Sequence, residues 1–378
     1  MPNAENRRAA RPVRTTRRRP PATIYEVARK AGVSIATVSR VQRRNAPVAE
    51  ATRARVLRAI DELRYQPSAL GRSLAMGRHG ATGIVFPDLS GPYYSEVILG
   101  FEEQTAAEGK SVLILGTHGR DQATDLVRDL AARVDGLVVM GRTIPDAEVA
   151  ALEEQHVHVV MLARPPTGGA DSIRTENRQS ARDLARHLLD HGHRRICFIG
   201  DPSSSPDAAE RWTGFCEAFA EAGLEPPAAP TVSSFRETDG RRAALAVLGD
   251  GEAATDGDTA GGGKKLRADR PTALFCANDE IALGAYGACA ELGLRIPDDI
   301  AITGWDDIPI ARYLTPPLTT VRQPLRELGA RAARALLEIT AGERNSPIHQ
   351  VLPTELVVRA SCGCERDEGK PDRGGDPN

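Results

Sequence analysis

From Ala81 onward, short apolar runs alternate with longer amphipathic segments, and this alternation constrains the fold more than any other feature. Apolar runs of strand length occur at 83–86, 111–115, 136–139, 157–162, 195–199, 273–276 and 300–303. Between them, 94–108, 123–133, 146–154, 177–190, 210–222, 241–247 and 280–291 carry apolar residues at helical spacing. Strands that alternate with helices build parallel sheets covered on both faces. Such sheets bind ligands beyond the carboxyl ends of their strands. Two doubly wound sheets facing across a cleft would place the loops after Phe86, Ile199, Cys276 and Thr303 around one cavity. The longest apolar runs, at 136–140 and 157–163, fall far short of the roughly 20 residues of a membrane span.

The first 80 residues obey a different rule. They carry 18 Lys/Arg against 5 Asp/Glu, a balance of +13, while the remainder stands at −15. A basic head on an acidic body points to a polyanion partner. Residues 1–21 hold seven arginines and no apolar periodicity, which predicts a disordered arm. They lack the apolar core of a signal peptide, and six cysteines in 378 residues give no disulfide framework, so a cytoplasmic chain is expected.

Order begins at Thr23, where Thr23-Ile-Tyr-Glu26 spells a capping box. Ile24, Val27, Ala28 and Ala31 then form one apolar face, and Gly32-Val33 ends the helix. A second helix, 34–41, buries Val38 and Val41 and turns Ile35, Ala36, Thr37, Ser39 and Arg40 outward. A third, at about 51–63, is expected to point Val56, Leu57, Ile60 and Leu63 inward and Arg53, Arg55 and Arg58 outward. Two short helices joined by a glycine turn and braced by a third make a helix-turn-helix, whose second helix fits the major groove of DNA.

The spelling of 22–41, with Ala22-Thr-Ile-Tyr-Glu-Val-Ala at its start, resembles the head of LacI/GalR-family transcription regulators, and Tyr65-Gln-Pro-Ser-Ala-Leu-Gly-Arg-Ser-Leu74 resembles that family's hinge helix. The resemblance continues through Gly83-Ile-Val-Phe-Pro-Asp-Leu, Gly192-His-Arg-Arg-Ile, Arg211-Trp-Thr-Gly-Phe, Gly304-Trp-Asp-Asp and Leu314-Thr-Pro-Pro-Leu. It implies a helix-turn-helix head followed by a two-subdomain, periplasmic-binding-protein-like core. The implied partition is an arm at 1–21, a DNA-binding domain at 22–66, a hinge at 67–80, a core at 81–361 and a disordered tail at 362–378. The polar, glycine-rich stretch 249–269 is expected to be a flexible insertion in that core.

By the same resemblance Thr23, Tyr25, Ser34, Ile35, Ala36, Thr37, Ser39, Arg40, Ser68, Arg72 and Leu74 face DNA. Leu74 stands where the family drives a leucine into the minor groove. Asp88, Tyr93, Arg211, Phe235, Asn278 and Asp306 stand where relatives line the effector cavity. The implied protein is a homodimeric repressor on a palindromic operator, answering to a sugar or similar polyol, with no catalytic group, metal or cofactor. A sugar-transport protein sharing the core, or an architectural DNA-binding protein without effector, are the alternatives.

Several residues depart from the family pattern. Gln42-Arg43-Arg44 replaces Leu-Asn-Gly after the recognition helix, and Ala75 stands where some members have lysine. Leu162-Ala163-Arg164-Pro165 lacks the aspartate that sugar-binding relatives carry before Arg-Pro, and Glu176-Asn177 replaces Asp-Asn. Gly261-Gly-Gly-Lys264-Lys265 is a poor phosphate loop, with Lys265 where a hydroxyl should bind magnesium. His156-x-His158, His191-x-His193 and Cys362-Gly-Cys364 each lack a partner pair at metal-binding distance in sequence.

The arginine-rich arm yields a direct expectation. Phosphate contacts release counterions, so DNA affinity should fall steeply with salt. Deleting residues 1–20 should weaken binding to every DNA sequence alike and flatten the salt slope. A loss confined to the operator would show that the arm reads sequence.

Overall fold

The computed structural model describes residues 22–43, 47–65, 79–249, 266–267 and 269–364. They fall into two compact units, split after His79. The hinge residues Ser68, Arg72 and Leu74, the arm, the phosphate-loop-like lysines and most of the insertion lie outside the described residues.

The first unit is a three-helix cluster of α1 (Ile24–Ala31), α2 (Ile35–Arg43) and α3 (Glu50–Glu62). Both halves of the capping box form, with the Thr23 N–H donating to Glu26 Oε2 at 2.7 Å and the Glu26 N–H to Thr23 Oγ1 at 3.4 Å. Gly32 closes α1 in the left-handed region at φ 64°, where a side chain would be strained. Val27, Ala28, Ala31, Val38, Val41, Val56 and Ala59 make the core. Two expectations need correction. α2 runs on to Arg43, two residues beyond Val41, because no glycine follows to stop it. Leu57 is 51% exposed, since it sits about 100° around the helix from Val56 and the inward position passes instead to Ala59.

The second unit holds two sheets. Six parallel strands run in the order β10-β5-β4-β3-β1-β2, with β1 at Ala81–Phe86, β2 at Ser111–Gly116, β3 at Gly136–Met140, β4 at His158–Leu162, β5 at Asp171–Thr175 and β10 at His349–Leu352. Three parallel strands, β6 (Ile196–Ile199), β7 (Ala273–Cys276) and β8 (Ala301–Thr303), form the other. An antiparallel pair, β9 (Thr320–Arg322) and β11 (Glu355–Val357), lies beside them. Helices α4 (Pro92–Ala107), α5 (Ala123–Ala131), α6 (Asp146–Glu154) and α11 (Leu325–Ala341) cover the larger sheet. Helices α7 (Arg178–Asp190), α8 (Pro206–Glu221), α9 (Glu237–Leu248) and α10 (Asp279–Leu292) cover the smaller. The chain passes between the subdomains at β5 to α7, β9 to α11 and β10 to β11.

Strands β5, β9, β10 and β11, short and rich in polar residues, escape the apolar pattern. Helix α11 carries it, with Leu325, Leu328, Ala332 and Leu336 buried at helical spacing, and is an omission of the sequence reading. β5, Asp-Ser-Ile-Arg-Thr, is buried although polar, because each polar group has a fixed partner. Asp171 takes a fork from Arg344 at 2.9 and 2.5 Å, and the Ser172 hydroxyl donates to the Arg164 carbonyl at 2.7 Å. The tail boundary also moves. Residues 360–362 form a 3-10 turn with Ser361 and Cys362 buried, so Cys362 belongs to the core and not to a tail. The ends of the 249–269 stretch are joined by a bridge between Gly249 and Leu266.

The main helix pairs meet through glycine. Around α4 and α11, a Cβ on Gly100 would run into the Arg326 carbonyl, and one on Gly329 into that of Val97. Gly214 does the same for α8 on α7, and Gly284 for α10 on α9. Gly329→Ala should therefore force the helices apart at a cost of about 1–3 kcal/mol, lowering the thermal midpoint by several degrees in calorimetry. Gly287→Ala, whose Cβ meets only the end of Arg241 at 3.8 Å, is the control and should be neutral or stabilising. Equal losses in both would remove the crossing argument.

Candidate functional site

A cavity of about 530 Å³ opens between the two subdomains at the carboxyl ends of their strands. All six residues named from sequence line it: Asp88 after β1, Tyr93 at the start of α4, Arg211 on α8, Phe235 before α9, Asn278 after β7 and Asp306 after β8.

Arg211 is only 4% exposed and carries its charge inward. Its guanidinium stacks 4.5 Å from the Trp305 ring centroid. Nε donates to Asn177 Oδ1 at 2.8 Å and Nη1 to the Ala277 carbonyl at 2.6 Å. Nη2 approaches Asp207 at 4.0 Å. Arg211 is thus a core residue of α8 and not a solvated one on its outer face.

Asp306 sits at φ 117°, an uncommon conformation for a residue other than glycine. Its N–H donates to the Val321 carbonyl at 2.8 Å, and Oδ1 accepts from Gln323 Nε2 at 2.6 Å. Gln323 in turn accepts from the Thr175 hydroxyl at 2.5 Å, so one buried amide joins two subdomain crossings to a cavity carboxylate. Burial pushes the Asp306 carboxyl up to about 7 against the pull of Arg211. Burial likewise lifts Asp207 to about 6.

Asn278 faces the cavity but spends its amide on the protein. Oδ1 caps α10 by accepting from the Ile281 N–H at 2.9 Å, and Nδ2 donates to the Phe235 carbonyl at 3.0 Å. Phe235 is half-buried against the core of its own subdomain while lining the cavity. Asp88 reaches across the cleft, its Oδ2 taking Arg236 Nη2 at 2.6 Å. Burial alone would raise the Asp88 carboxyl, but Arg236 and the Leu89 and Ser90 N–H groups hold it well below the usual carboxylate range.

Sequence reading misses Asp207, Tyr94, Arg236 and Glu280, all on the cavity wall. Asp207 and Arg236 could have been found from their spacing, one helical turn before Arg211 and directly after Phe235. The two departures acquire explanations. Glu176 caps α7 through the Gln179 and Ser180 N–H groups at 2.6 and 2.9 Å. Ala163 lines the cavity at φ 53°, leaving an apolar patch where an aspartate would offer a carboxylate.

In the first unit, Tyr25 is 69% and Ile35 39% exposed. Ser34, Ala36 and Arg40 are also exposed, while Thr37 and Ser39 are half-buried. Ser34 caps α2, its Oγ accepting from the Thr37 N–H at 3.2 Å.

A helix-turn-helix unit and a two-lobed core with a polar cleft on one chain define a ligand-responsive, DNA-binding transcriptional repressor. The profile described as "Bacterial regulatory proteins, lacI family" matches residues 23–68. That for "Periplasmic binding proteins and sugar binding domain of LacI family" matches 79–252, and a periplasmic binding protein-like domain matches 185–362. The chain belongs to the LacI family. It is 36% identical over 344 residues to the HTH-type transcriptional repressor PurR of Photobacterium profundum, covering 90% of this chain and 98% of that protein. Its fold matches a lac repressor dimer bound to operator and the anti-inducer ONPF with a TM-score of 0.74 at 28% identity, over 91% of this chain and 99% of the other. A complex of the transcriptional regulator CelR with cellobiose matches with a TM-score of 0.64 at 29% identity, over 90% and 99%. The lac repressor neighbour is a dimer on its operator, and the CelR neighbour holds cellobiose.

The raised carboxyls carry a pH expectation. Unfolded aspartates ionise near about 3.9, whereas Asp306 holds its proton to about 7 in the fold. As pH rises the unfolded state releases that proton first, so this group erodes core stability between the two values. Asp306→Asn should raise the ligand-free thermal midpoint by several degrees at pH 8 and hardly at pH 4. An equal gain at both pH values would mean that the carboxyl is not buried in its neutral form.

Proposed function

We propose that the cleft takes a small, uncharged, hydrogen-bonding effector, a sugar or similar polyol, and thereby sets the affinity of the dimer for a palindromic operator. The carrying observation is the convergence of Arg211, Asp207 and Asp306 on one cavity. A carboxyl poised near neutrality both donates and accepts, which suits hydroxyl groups. Tyr93 and Phe235, from opposite subdomains, offer aromatic faces to the apolar side of a ring. The structural neighbour bound to cellobiose supports the same class.

One observation favours a second reading, a flat heterocyclic base. Ala163 removes a hydroxyl partner, and aromatic residues of both subdomains, Tyr93 and Tyr94 on one side and Phe235 on the other, line the cavity, which suits a flat ring.

On this reading Thr23, Tyr25, Ser34, Ile35, Ala36, Thr37, Ser39 and Arg40 meet the DNA, with Ser68, Arg72 and Leu74 following in the hinge. The chain works in the cytoplasm, where the operator is, and performs no chemistry of its own. Effector contacts from both subdomains change the cleft angle, and the Arg236–Asp88 pair is the contact this motion makes or breaks. An exposed pair of this kind contributes at most about 1 kcal/mol, which suits a latch that a ligand must move.

Thermal-shift titration of the core with mono- and disaccharides and with nucleobases tests the assignment. Stabilisation by a sugar alone supports the first reading, by a base alone the second, and by neither overturns both. Asp306→Asn should then weaken effector binding by about 10- to 100-fold and leave operator affinity unchanged. Arg211→Ala is the poorer test, because it would strand Asn177 and the Ala277 carbonyl in the core. An unaltered effector response in Asp306→Asn would move the site elsewhere.

A further inference from the structure

Far from the cleft by fold position, the last turn of α7 meets the segment 360–364. His187 and His191 stand one helical turn apart, so both imidazoles share a face, with ring centroids 4.7 Å apart. Cys362 ends the 360–362 turn, and Gly363, at φ 98°, reverses the chain so that Cys364 returns to the same side. His187 Nε2 lies 3.2 Å from Cys362 Sγ and 3.6 Å from Cys364 Sγ, and His191 Nε2 lies 3.1 Å from Cys364 Sγ. All four ligand atoms fall within 4.8 Å of one another. Sequence spacing couples His191 with His193. Instead His193 turns to the Thr272 hydroxyl at 3.0 Å, and the histidine partner of the cysteines comes from one turn earlier in α7.

We propose that His187, His191, Cys362 and Cys364 form a closed, structural site for a tetrahedral divalent transition ion of the zinc class. With zinc bonds of about 2.3 Å to sulfur and 2.0–2.1 Å to nitrogen, the edges of a tetrahedron are roughly 3.3–3.8 Å. Of the three nitrogen–sulfur contacts, that of 3.6 Å already fits and those of 3.1 and 3.2 Å need to open by only a few tenths of an ångström. The widest separation in the group needs to close by about 1 Å. Two soft sulfurs and two imidazoles select zinc over hard cations. Two thiolates neutralise the ion, so a half-buried setting tolerates it.

The support around the ligands is in place. The Thr319 hydroxyl lies 3.1 Å from Cys362 Sγ. The neighbouring Ser361 fixes the turn, its hydroxyl donating to the Ile302 carbonyl at 2.6 Å and accepting from the Thr319 N–H at 2.8 Å. His-x3-His is a common zinc spacing. Cys-x-Cys is shorter than usual, and the left-handed Gly363 supplies the reversal that it requires. A bound ion would staple the 360–364 segment to the helix whose other end holds Asn177 against Arg211.

The test uses the full-length protein, reduced and stripped with a chelator, then titrated with Co²⁺ and with Zn²⁺. The expected result is one ion per chain, with the thiolate-to-cobalt band and strong visible absorption of tetrahedral Co²⁺, bleached by zinc. Zinc should also raise the thermal midpoint by several degrees. Cys364→Ser and His191→Gln, on the more exposed side of the cluster, each remove a direct ligand and should weaken metal binding by at least the roughly 10- to 100-fold that loss of an outer-shell partner costs, while circular dichroism shows that they fold. Absence of the cobalt band at tens of micromolar metal, or a band unchanged in both variants, overturns the proposal. So does a Cys362–Cys364 disulfide that persists in the protein isolated without oxidant.

Discussion

A buried guanidinium organises the core. Arg211 gives up water for the Trp305 face, the Asn177 amide and the Ala277 carbonyl, and so binds together the start of α7, the end of β7 and the loop after β8. An unpaired charge at 4% exposure would cost several kcal/mol, so these elements have to remain in register around it. The positive centre in turn tolerates Asp207 and Asp306 beside it. Their carboxyls, lifted toward neutrality by burial, set hydrogen-bond donors and acceptors beside that cation on the cavity wall. Fold and cleft chemistry thus share one ion.

The same economy appears at the crossings between subdomains. Gln323 holds Thr175 with its oxygen and Asp306 with its nitrogen. Any rotation of one subdomain against the other therefore acts on a cavity carboxylate directly. On the open side, Arg236 and Asp88 supply a weaker contact between partly exposed groups. A firm buried joint on one side and a weaker, partly exposed contact on the other fit the proposed change of cleft angle.

Strain and stability divide along this line. Asp306 combines positive φ with burial of an ionisable group, both unfavourable for folding and both paired with a position in the cavity. The distant crossings of helices are the reverse. There Gly100, Gly329, Gly214 and Gly284 allow backbone to touch backbone, which gives the subdomains the rigidity that a hinged movement needs.

Local spelling is enough to set the units and their classes. Capping at Thr23, the stop at Gly32, the apolar faces of α1 and α2 and seven of the strands are local patterns, set by periodicity over a few residues. Family spelling adds the six cavity residues, because those motifs stand at the ends of recognisable strands and helices. Everything that depends on distant partners is settled only in the packed chain. β5 is buried because Arg344, 173 residues away, neutralises Asp171. Arg236 crosses 148 residues to Asp88, and His187 finds Cys362 across 175. Periodicity reports which face of an element is apolar, whereas a buried charge or a four-residue cluster depends on which other element arrives there, and no local pattern records that.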